Sequence, residues 1–207
     1  MSERRAPYLI DLRTLVMVGS AIVVAGAIAA LFVWMTPRAA AREVRAACAG
    51  LRSNPRNSAL GLLPVQAPEL VAPDYTGKPF HLSDLHGKVV LLNFWGSWCS
   101  VCKSEKPGLA TFTDEMAQDG FEVVTVASDV NFDSIKRVLP KGAPYTVLLD
   151  QTAEDGEVGA IAHSWGVKAV PESFIIDRDG KIRMYLDNRR DWDGDIARTC
   201  IQSIIDE

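Results

Sequence analysis

A strand that runs directly into a pair of cysteines places the strongest limit on how this chain can fold. Residues 88–95 read KVVLLNFW, a nearly unbroken apolar run that is typical of a strand covered on both faces. The segment Cys99-Ser100-Val101-Cys102 follows shortly and opens a stretch that is apolar at helical spacing, at Leu109, Phe112 and Met116. A doubly covered strand that leads into a helix predicts an α/β domain with this strand at its centre.

The position of the cysteine pair predicts redox chemistry. Backbone N–H groups and the dipole at a helix N-terminus stabilise negative charge, so Cys99 should hold a thiolate more readily than a free cysteine. The thiolate attacks disulfides, and Cys102 lies one turn further along the same helical face, where it can resolve a mixed disulfide. We therefore predict that Cys99 and Cys102 are catalytic and form a redox-active disulfide, which needs no dissociable cofactor.

A structural zinc site and a purely structural disulfide are the alternatives for this pair. Zinc needs further ligands, but Cys48 and Cys200 are isolated in the sequence, and the histidines at 81, 86 and 163 show no paired ligand spacing. A disulfide across so short a loop constrains the unfolded chain little. The sequence therefore predicts no metal site.

The N-terminal region carries a candidate membrane anchor. Residues 15–35 are apolar without a charge, and at about 1.5 Å per residue they would cross roughly 30 Å of hydrocarbon. A cleaved signal peptide is the alternative because small residues follow at 39–41, although the apolar region of a signal peptide is shorter. Arginines lie on both sides of the run, so the positive-inside rule does not decide its orientation. The predicted organisation is a tail at 1–14, an anchor at 15–35, a connector at 36–68 and a folded domain at 69–207.

The rest of the domain is predicted to alternate strands with helices and to end in a hairpin. The hairpin is marked by Asp179-Gly180 between two β-type runs. This pattern predicts a mixed sheet with helices on both faces. The elements that it predicts are strands at 123–127, 145–149, 172–177 and 181–186 and helices at 131–139, 158–165 and 192–205.

Net charge and the two remaining cysteines set further expectations. The formal net charge is −4, and no basic stripe interleaved with aromatic residues is present, which argues against a nucleic-acid partner. Cys48 and Cys200 either pair in a structural disulfide between the connector and the last helix or remain two unrelated thiols.

Two separated motifs occur along the domain. The first begins at Gly77-Lys78, continues through 82–88 and Asn93-Phe94-Trp95, and ends at Cys102; the second extends from Trp165 to Asp177. In this order they resemble the membrane-anchored thioredoxin-like proteins of the TlpA, ResA and CcmG group, over about residues 77–180. The resemblance implies an α/β thioredoxin fold, in which helices flank a central mixed β-sheet and a single N-terminal transmembrane helix precedes it.

The resemblance also implies roles for residues beyond the cysteines. It implies that the Val170–Pro171 peptide bond is cis and that this loop lies against the cysteine pair, where it meets an incoming substrate strand. Glu105 would manage protons on the cysteines and Glu172 would tune the site; the alternatives are a solvated helix position for Glu105 and an outward-facing position for Glu172. Trp98 would belong to an apolar surface that binds substrate.

The sequence departs from the family pattern in two places. Ser100-Val101 stands between the cysteines, and because that dipeptide influences the reduction potential, the motif does not determine the direction of electron flow. After Glu105 the chain reads Lys106-Pro107-Gly108, which is more basic and flexible than the usual continuation and suggests different partner contacts there.

Residues and resemblance together predict a thiol:disulfide oxidoreductase in the bacterial cytoplasmic membrane, single-pass, with its catalytic domain in the periplasm or extracytoplasmic space. By analogy, its partners are disulfide-containing proteins such as apocytochrome c or oxidase assembly factors in cytochrome c biogenesis, and a membrane thiol-electron donor protein. A disulfide-donating oxidase and a copper(I)-binding metallochaperone that uses the same cysteines are the alternatives.

Overall fold

The computed structural model describes residues 11–51, 63–117 and 120–207, with the side chains of those ranges apart from 37–40. It divides into two units, and the boundary between them falls between Glu43 and Val44. The predicted tail falls outside the described residues up to position 10, and the predicted connector does so at 52–62.

Helix α1, Leu12–Leu51, contains the predicted anchor and extends beyond it. The helix is long and apolar enough to cross a membrane by length and composition, and its large apolar side chains from Leu12 to Met35 are exposed in the structure. It continues into the region that the sequence pattern assigned to the connector. The reason is local, because residues 41–51 (AREVRAACAGL) consist largely of strong helix formers.

The second unit begins at Val44, earlier than the predicted boundary at 69. Ala47 and Leu51, near the end of α1, are buried in its core. Strand β1, Val65–Gln66, pairs antiparallel with the last strand of the sheet. Part of the predicted connector therefore belongs to the folded domain, because its few apolar residues cover the core and the sheet edge.

A six-stranded mixed sheet forms the centre of this unit. Besides β1, its strands are β4, Val89–Trp95; β5, Phe121–Asp129; β6, Thr146–Gln151; β7, Glu172–Ile176; and β8, Lys181–Asp187, while β2, Val71–Pro73, and β3, Pro79–His81, form a separate hairpin. The strand order is β1-β8-β7-β4-β5-β6. Strands β4, β5 and β6 are parallel, whereas β7, β8 and β1 join antiparallel on the other side of β4. The predicted central strand is thus central.

Helices cover both faces of the sheet, as predicted. The helices are α2, Ser100–Glu115; α3, Phe132–Val138; α4, Ala160–Ser164; and α5, Asp195–Ile205; a 3₁₀ turn spans Leu82–Leu85. Because side chains alternate along β4, Leu91 and Trp95 lie in the core cluster that includes residues of α2, α3 and α5, while Leu92 and Phe94 lie in the cluster that includes α4. Helices α4 and α5 begin later than predicted because Gly159 and Gly194 serve as their N-caps.

Candidate functional site

The cysteine pair lies where β4 ends and α2 begins. Cys99 is the N-cap of α2, and its Sγ accepts a hydrogen bond from the backbone N–H of Cys102 at 3.1 Å. The two cysteines form a disulfide. The relative exposure of Cys99 is 9% and that of Cys102 is 0%, so Cys99 is the cysteine that an incoming group reaches first.

The turn that precedes Cys99 is held by the end of β5. Asp129 accepts hydrogen bonds from Ser97 through both carboxylate oxygens, at 2.9 Å from the backbone nitrogen and 2.5 Å from Oγ. Trp98 Nε1 donates to the carbonyl oxygen of Ser128 at 2.8 Å. Burial raises the pKa of Asp129, although its bonds with Ser97 act in the opposite direction. Sequence reasoning missed Asp129 because its approach to the site depends on the parallel pairing of β4 with β5.

We expect Asp129→Ala to destabilise the domain by about 1–3 kcal/mol, because it leaves the Ser97 N–H without its acceptor. Asp129→Asn should retain most of the stability, since the amide can accept from that N–H and donate to the Ser97 hydroxyl. Urea unfolding of the full chain in detergent, followed by tryptophan fluorescence, measures both changes.

Asp133→Ala is the matched control, because Asp133 is an exposed carboxylate in the next helix and forms an exposed ion pair with Lys136. That substitution should change the free energy of unfolding by less than about 0.5 kcal/mol. Equal effects at positions 129 and 133 would contradict the role given to Asp129.

The loop that contains Val170 and Pro171 faces the cysteines. The Val170–Pro171 peptide bond is cis, and the carbonyl oxygen of Val170 lies 3.7 Å from Cys99 Sγ. A cleft of about 230 Å³ lies beside this loop, and the residues that line it do not include the half-buried Trp98. The lining residues are Gly166, Lys168, Ala169, Val170, Pro171, Glu172, Tyr185, Asp187 and Asn188. The structure therefore brings three of the four predicted substrate-binding residues to one cleft.

Glu172 is the first residue of β7 and is buried, so it does not occupy the outward-facing alternative. It stands opposite Phe94 of β4 and Asp187 of β8. Burial raises the pKa of its carboxyl group, while a hydrogen bond with Tyr185 acts against this rise. A carboxyl group that holds its proton more strongly than usual thus lines the cleft beside the cis-proline.

Glu105 lies one turn after Cys102 and is also buried rather than solvated. Its Oε1 accepts a hydrogen bond from Trp192 Nε1 at 2.6 Å and another from the backbone N–H of Arg190 at 2.9 Å. Burial raises the pKa of Glu105, and these hydrogen bonds act in the opposite direction. Sequence reasoning missed Trp192 and Arg190, which come from the segment between β8 and α5.

Lys106, the basic residue in this departure from the family pattern, is buried inside the protein. Its Nζ donates to Asn93 Oδ1 at 2.7 Å and lies 4.1 Å from the centroid of a Trp95 ring. Burial lowers the pKa of Lys106 from its usual value to about 7, while Glu105 acts to raise it. Lys103, by contrast, is exposed on the same helix.

Cys48 and Cys200 form a disulfide, with Cys200 fully buried on α5. Both cysteines belong to the second unit. Among the described residues, no group of three or more histidine, cysteine or acidic side chains is placed to hold a metal ion.

The strand order, with the cysteine pair at the start of the helix after a central strand and a cis-proline loop facing it, defines a thioredoxin-fold protein. The chain belongs to the AhpC/TSA family, whose model matches residues 64–185.

Similar proteins of known name or structure show which thioredoxin-fold proteins this chain resembles. The chain is 34% identical over 118 residues to thiol-disulfide oxidoreductase ResA of Bacillus thuringiensis strain Al Hakam. The match covers 56% of this chain and 65% of that protein. The chain is also 33% identical to ResA of Bacillus subtilis strain 168, over 56% of this chain and 62% of that protein. The chain thus spans just under two thirds of the length of these relatives.

A crystal structure from Chlorobium tepidum, provisionally assigned as thiol:disulfide interchange protein DsbE, matches with a TM-score of 0.60 and 31% identity. The match covers 69% of this chain and 96% of that one. ResA- and DsbE-like relatives confirm the prediction that the chain resembles the TlpA, ResA and CcmG group.

Proposed function

We propose that this protein is a membrane-anchored thiol:disulfide oxidoreductase that reduces disulfides in other proteins through Cys99 and Cys102. The observation that supports the proposal most strongly is the placement of Cys99 at the N-cap of α2. Cys102 is fully buried, and the carbonyl oxygen of Val170 lies 3.7 Å from Cys99 Sγ. The names of the ResA and DsbE relatives support the same activity.

Disulfide exchange at this pair proceeds in two balanced steps. In the reduced protein, the Cys99 thiolate attacks one sulfur of the substrate disulfide; that S–S bond breaks, a mixed disulfide forms, and the departing substrate thiolate takes a proton. Cys102 then loses its proton and attacks Cys99 Sγ; the mixed disulfide bond breaks, and the second substrate sulfur leaves as a thiolate that takes a proton. The protein is left with the Cys99–Cys102 disulfide that the structure contains, and the substrate has gained two electrons and two protons.

Glu105 is the proposed base for the second step. Cys102 is fully buried, so its thiol needs an acceptor inside the protein before it can attack. Residues three apart on a helix lie on the same face, which brings the Glu105 carboxylate to the side of Cys102. Burial raises the pKa of Glu105 above its usual value and so toward neutral pH, where a general base works best.

The cleft beside the cis-proline loop is the proposed substrate site. Val170, Pro171 and Glu172 line it, and a substrate segment that occupies the cleft would bring its disulfide to Cys99. We propose that the substrates are proteins such as apocytochrome c or oxidase assembly factors, and that a membrane thiol protein returns two electrons to the Cys99–Cys102 disulfide. No dissociable cofactor is required, because the cysteine pair carries the electrons.

The proposed location is the outer side of the bacterial cytoplasmic membrane, in the periplasm or extracytoplasmic space, with α1 as the single span. Two observations support it. Helix α1 is long and apolar enough to cross a bilayer. The disulfide between Cys48 and Cys200 is also of the kind that persists in oxidising compartments.

The full chain in detergent should reduce a peptide disulfide catalytically when a small thiol supplies electrons. A reduction potential near the roughly −270 mV of thioredoxin would support the proposed direction, whereas one near the roughly −120 mV of a strong oxidant would reverse it. Equilibration with redox buffers, followed by alkylation and mass spectrometry, measures the potential.

Cys99→Ser is the control for this experiment and should reduce turnover to the uncatalysed background. Stoichiometric copper(I) binding without turnover by the wild-type chain would instead favour the metallochaperone, because paired thiolates are soft ligands that select this ion.

A further inference from the structure

The buried amine of Lys106 has no role in the exchange steps described above. A lysine inside a protein is rare unless its charge is paired. Lys106 is 4% exposed, its Nζ donates to Asn93 Oδ1 at 2.7 Å, and the same atom lies 4.1 Å from the centroid of a Trp95 ring. Both contacts favour the protonated amine, because the amide oxygen accepts a hydrogen bond from it and the aromatic face attracts its charge.

The amine is held on the helix face that carries the resolving cysteine. Residues three and four positions apart are neighbours on a helix, so Glu105 and Lys106 both adjoin Cys102. Asn93, which accepts from the amine, donates through Nδ2 to Ser173 Oγ at 2.9 Å and is itself fully buried. The amine is therefore fixed to the sheet by an acceptor whose own orientation is fixed.

The two oxygens of Glu105 differ in their contacts. Oε1 accepts from Trp192 and from the Arg190 backbone, whereas the buried Oε2 has no hydrogen-bond partner at ordinary distance among the described residues. The side chain of Asn93, which also holds the Lys106 amine, acts on this carboxyl group as well and lowers its pKa, against the rise that burial causes. A buried carboxylate with a free oxygen can take a proton there, and a nearby positive charge determines how readily it stays ionised.

We propose that Lys106 is a positioning residue that governs the charge of Glu105 beneath the redox cysteines, with Asn93 holding its amine in place. Protonated Lys106 keeps Glu105 ionised and able to accept the Cys102 proton. This role rests on the proposed disulfide exchange and deepens it, because it assigns the control of the base to a second residue.

Among the groups that surround Glu105, Lys106 is the one whose charge acts most on the pKa of this carboxyl group. Burial lowers the pKa of Lys106 and raises that of Glu105, and attraction between the two acts against both shifts. Tyr145 lies before β6 with its ring centroid 5.8 Å from the amine, and burial raises its pKa and that of the nearby Tyr75, so both stay neutral near pH 7. From the segment before α5, Arg190 turns its guanidinium to the Leu51 carbonyl and Asp187.

The test is a pH titration of the Trp192 indole N–H resonance in the full chain, ¹⁵N-labelled at tryptophan and held in detergent. Trp192 donates to Glu105 at 2.6 Å, so its resonance reports the ionisation of that carboxyl group directly. Lys106→Met removes the charge, and Lys106→Gln removes the charge but retains a donor for Asn93. Both variants should raise the midpoint by about one pH unit or more, because loss of a neighbouring positive charge favours the neutral carboxyl group.

Two controls complete the design. Lys103→Met removes an exposed charge from the same helix and should move the midpoint by less than about 0.3 pH unit. Glu105→Gln should abolish the titration and so assign it to Glu105. A titration that survives Glu105→Gln, or an unchanged midpoint in both Lys106 variants, would overturn the proposal; since the readout does not need turnover, either result is obtained even if the chain reduces no disulfide.

Discussion

Cys102→Ser is expected to stop the reaction at a covalent mixed disulfide between Cys99 and the substrate. Serine cannot resolve the intermediate, and Cys99 remains at the N-cap of α2, where it is more accessible than Cys102. With a cyclic peptide disulfide as substrate, mass spectrometry without reductant should show a gain equal to the mass of the whole peptide. Turnover with a small thiol as electron source should fall toward the uncatalysed background.

Cys99→Ser is the matched variant for this experiment. It retains one thiol of the pair, but that thiol belongs to Cys102, whose relative exposure is 0%. We expect no adduct from it under the same conditions. An adduct of equal yield in both variants would contradict the assignment of Cys99 as the attacking cysteine and Cys102 as the resolving one.

The core of the fold was predictable from local patterns. The run at 88–95 is apolar at consecutive positions, which requires cover on both faces, and in the structure it is β4 between β5 and β7. The Asp179-Gly180 turn likewise indicated the hairpin of β7 and β8. These features depend on neighbouring residues alone, and the sequence contains that information.

The domain boundary was harder to predict because it depends on contacts distant in sequence. Prolines and polar residues at 52–68 suggested a connector outside the domain. Yet Val65 pairs with Ile182 of β8, and Ala47 and Leu51 lie in the core cluster that also contains Ile201 of α5. Short apolar contributions of this kind carry no periodic signal of their own.

The residues of the candidate site also differ in whether local patterns predicted them. The cysteines and the loop at 170–172 were found from motifs, whereas the hydrogen-bond partners of the neighbouring residues were not. Asp129 reaches Ser97 from β5, and Trp192 reaches Glu105 from across the domain. The burial of Lys106 was not predicted, because a lysine in a helix usually indicates a solvated face. Its partners, Asn93 and the ring of Trp95, come from β4.

Removal of the second disulfide by Cys48→Ala with Cys200→Ala should lower the free energy of unfolding by about 5 kcal/mol. This disulfide joins residues 152 positions apart, and in the chain-entropy model so long a loop restricts the unfolded chain strongly. The paired replacement leaves no thiol to exchange with Cys99. Urea unfolding of the full chain in detergent should show a lower midpoint, and its slope should rise because the unlinked chain exposes more surface on unfolding.

The variant that replaces both Cys99 and Cys102 by alanine is the control for loop length, because it also loses one disulfide. The disulfide that it loses joins residues only three positions apart, so the same relation predicts a loss of about 2 kcal/mol in the free energy of unfolding. The Cys48/Cys200 variant should therefore be the less stable of the two. Cys48 attaches the end of α1 to α5, whereas Cys99 and Cys102 link only one helical turn. If the Cys48/Cys200 variant were no less stable than the Cys99/Cys102 variant, the long disulfide would not be the element that secures this end of α1 to the core.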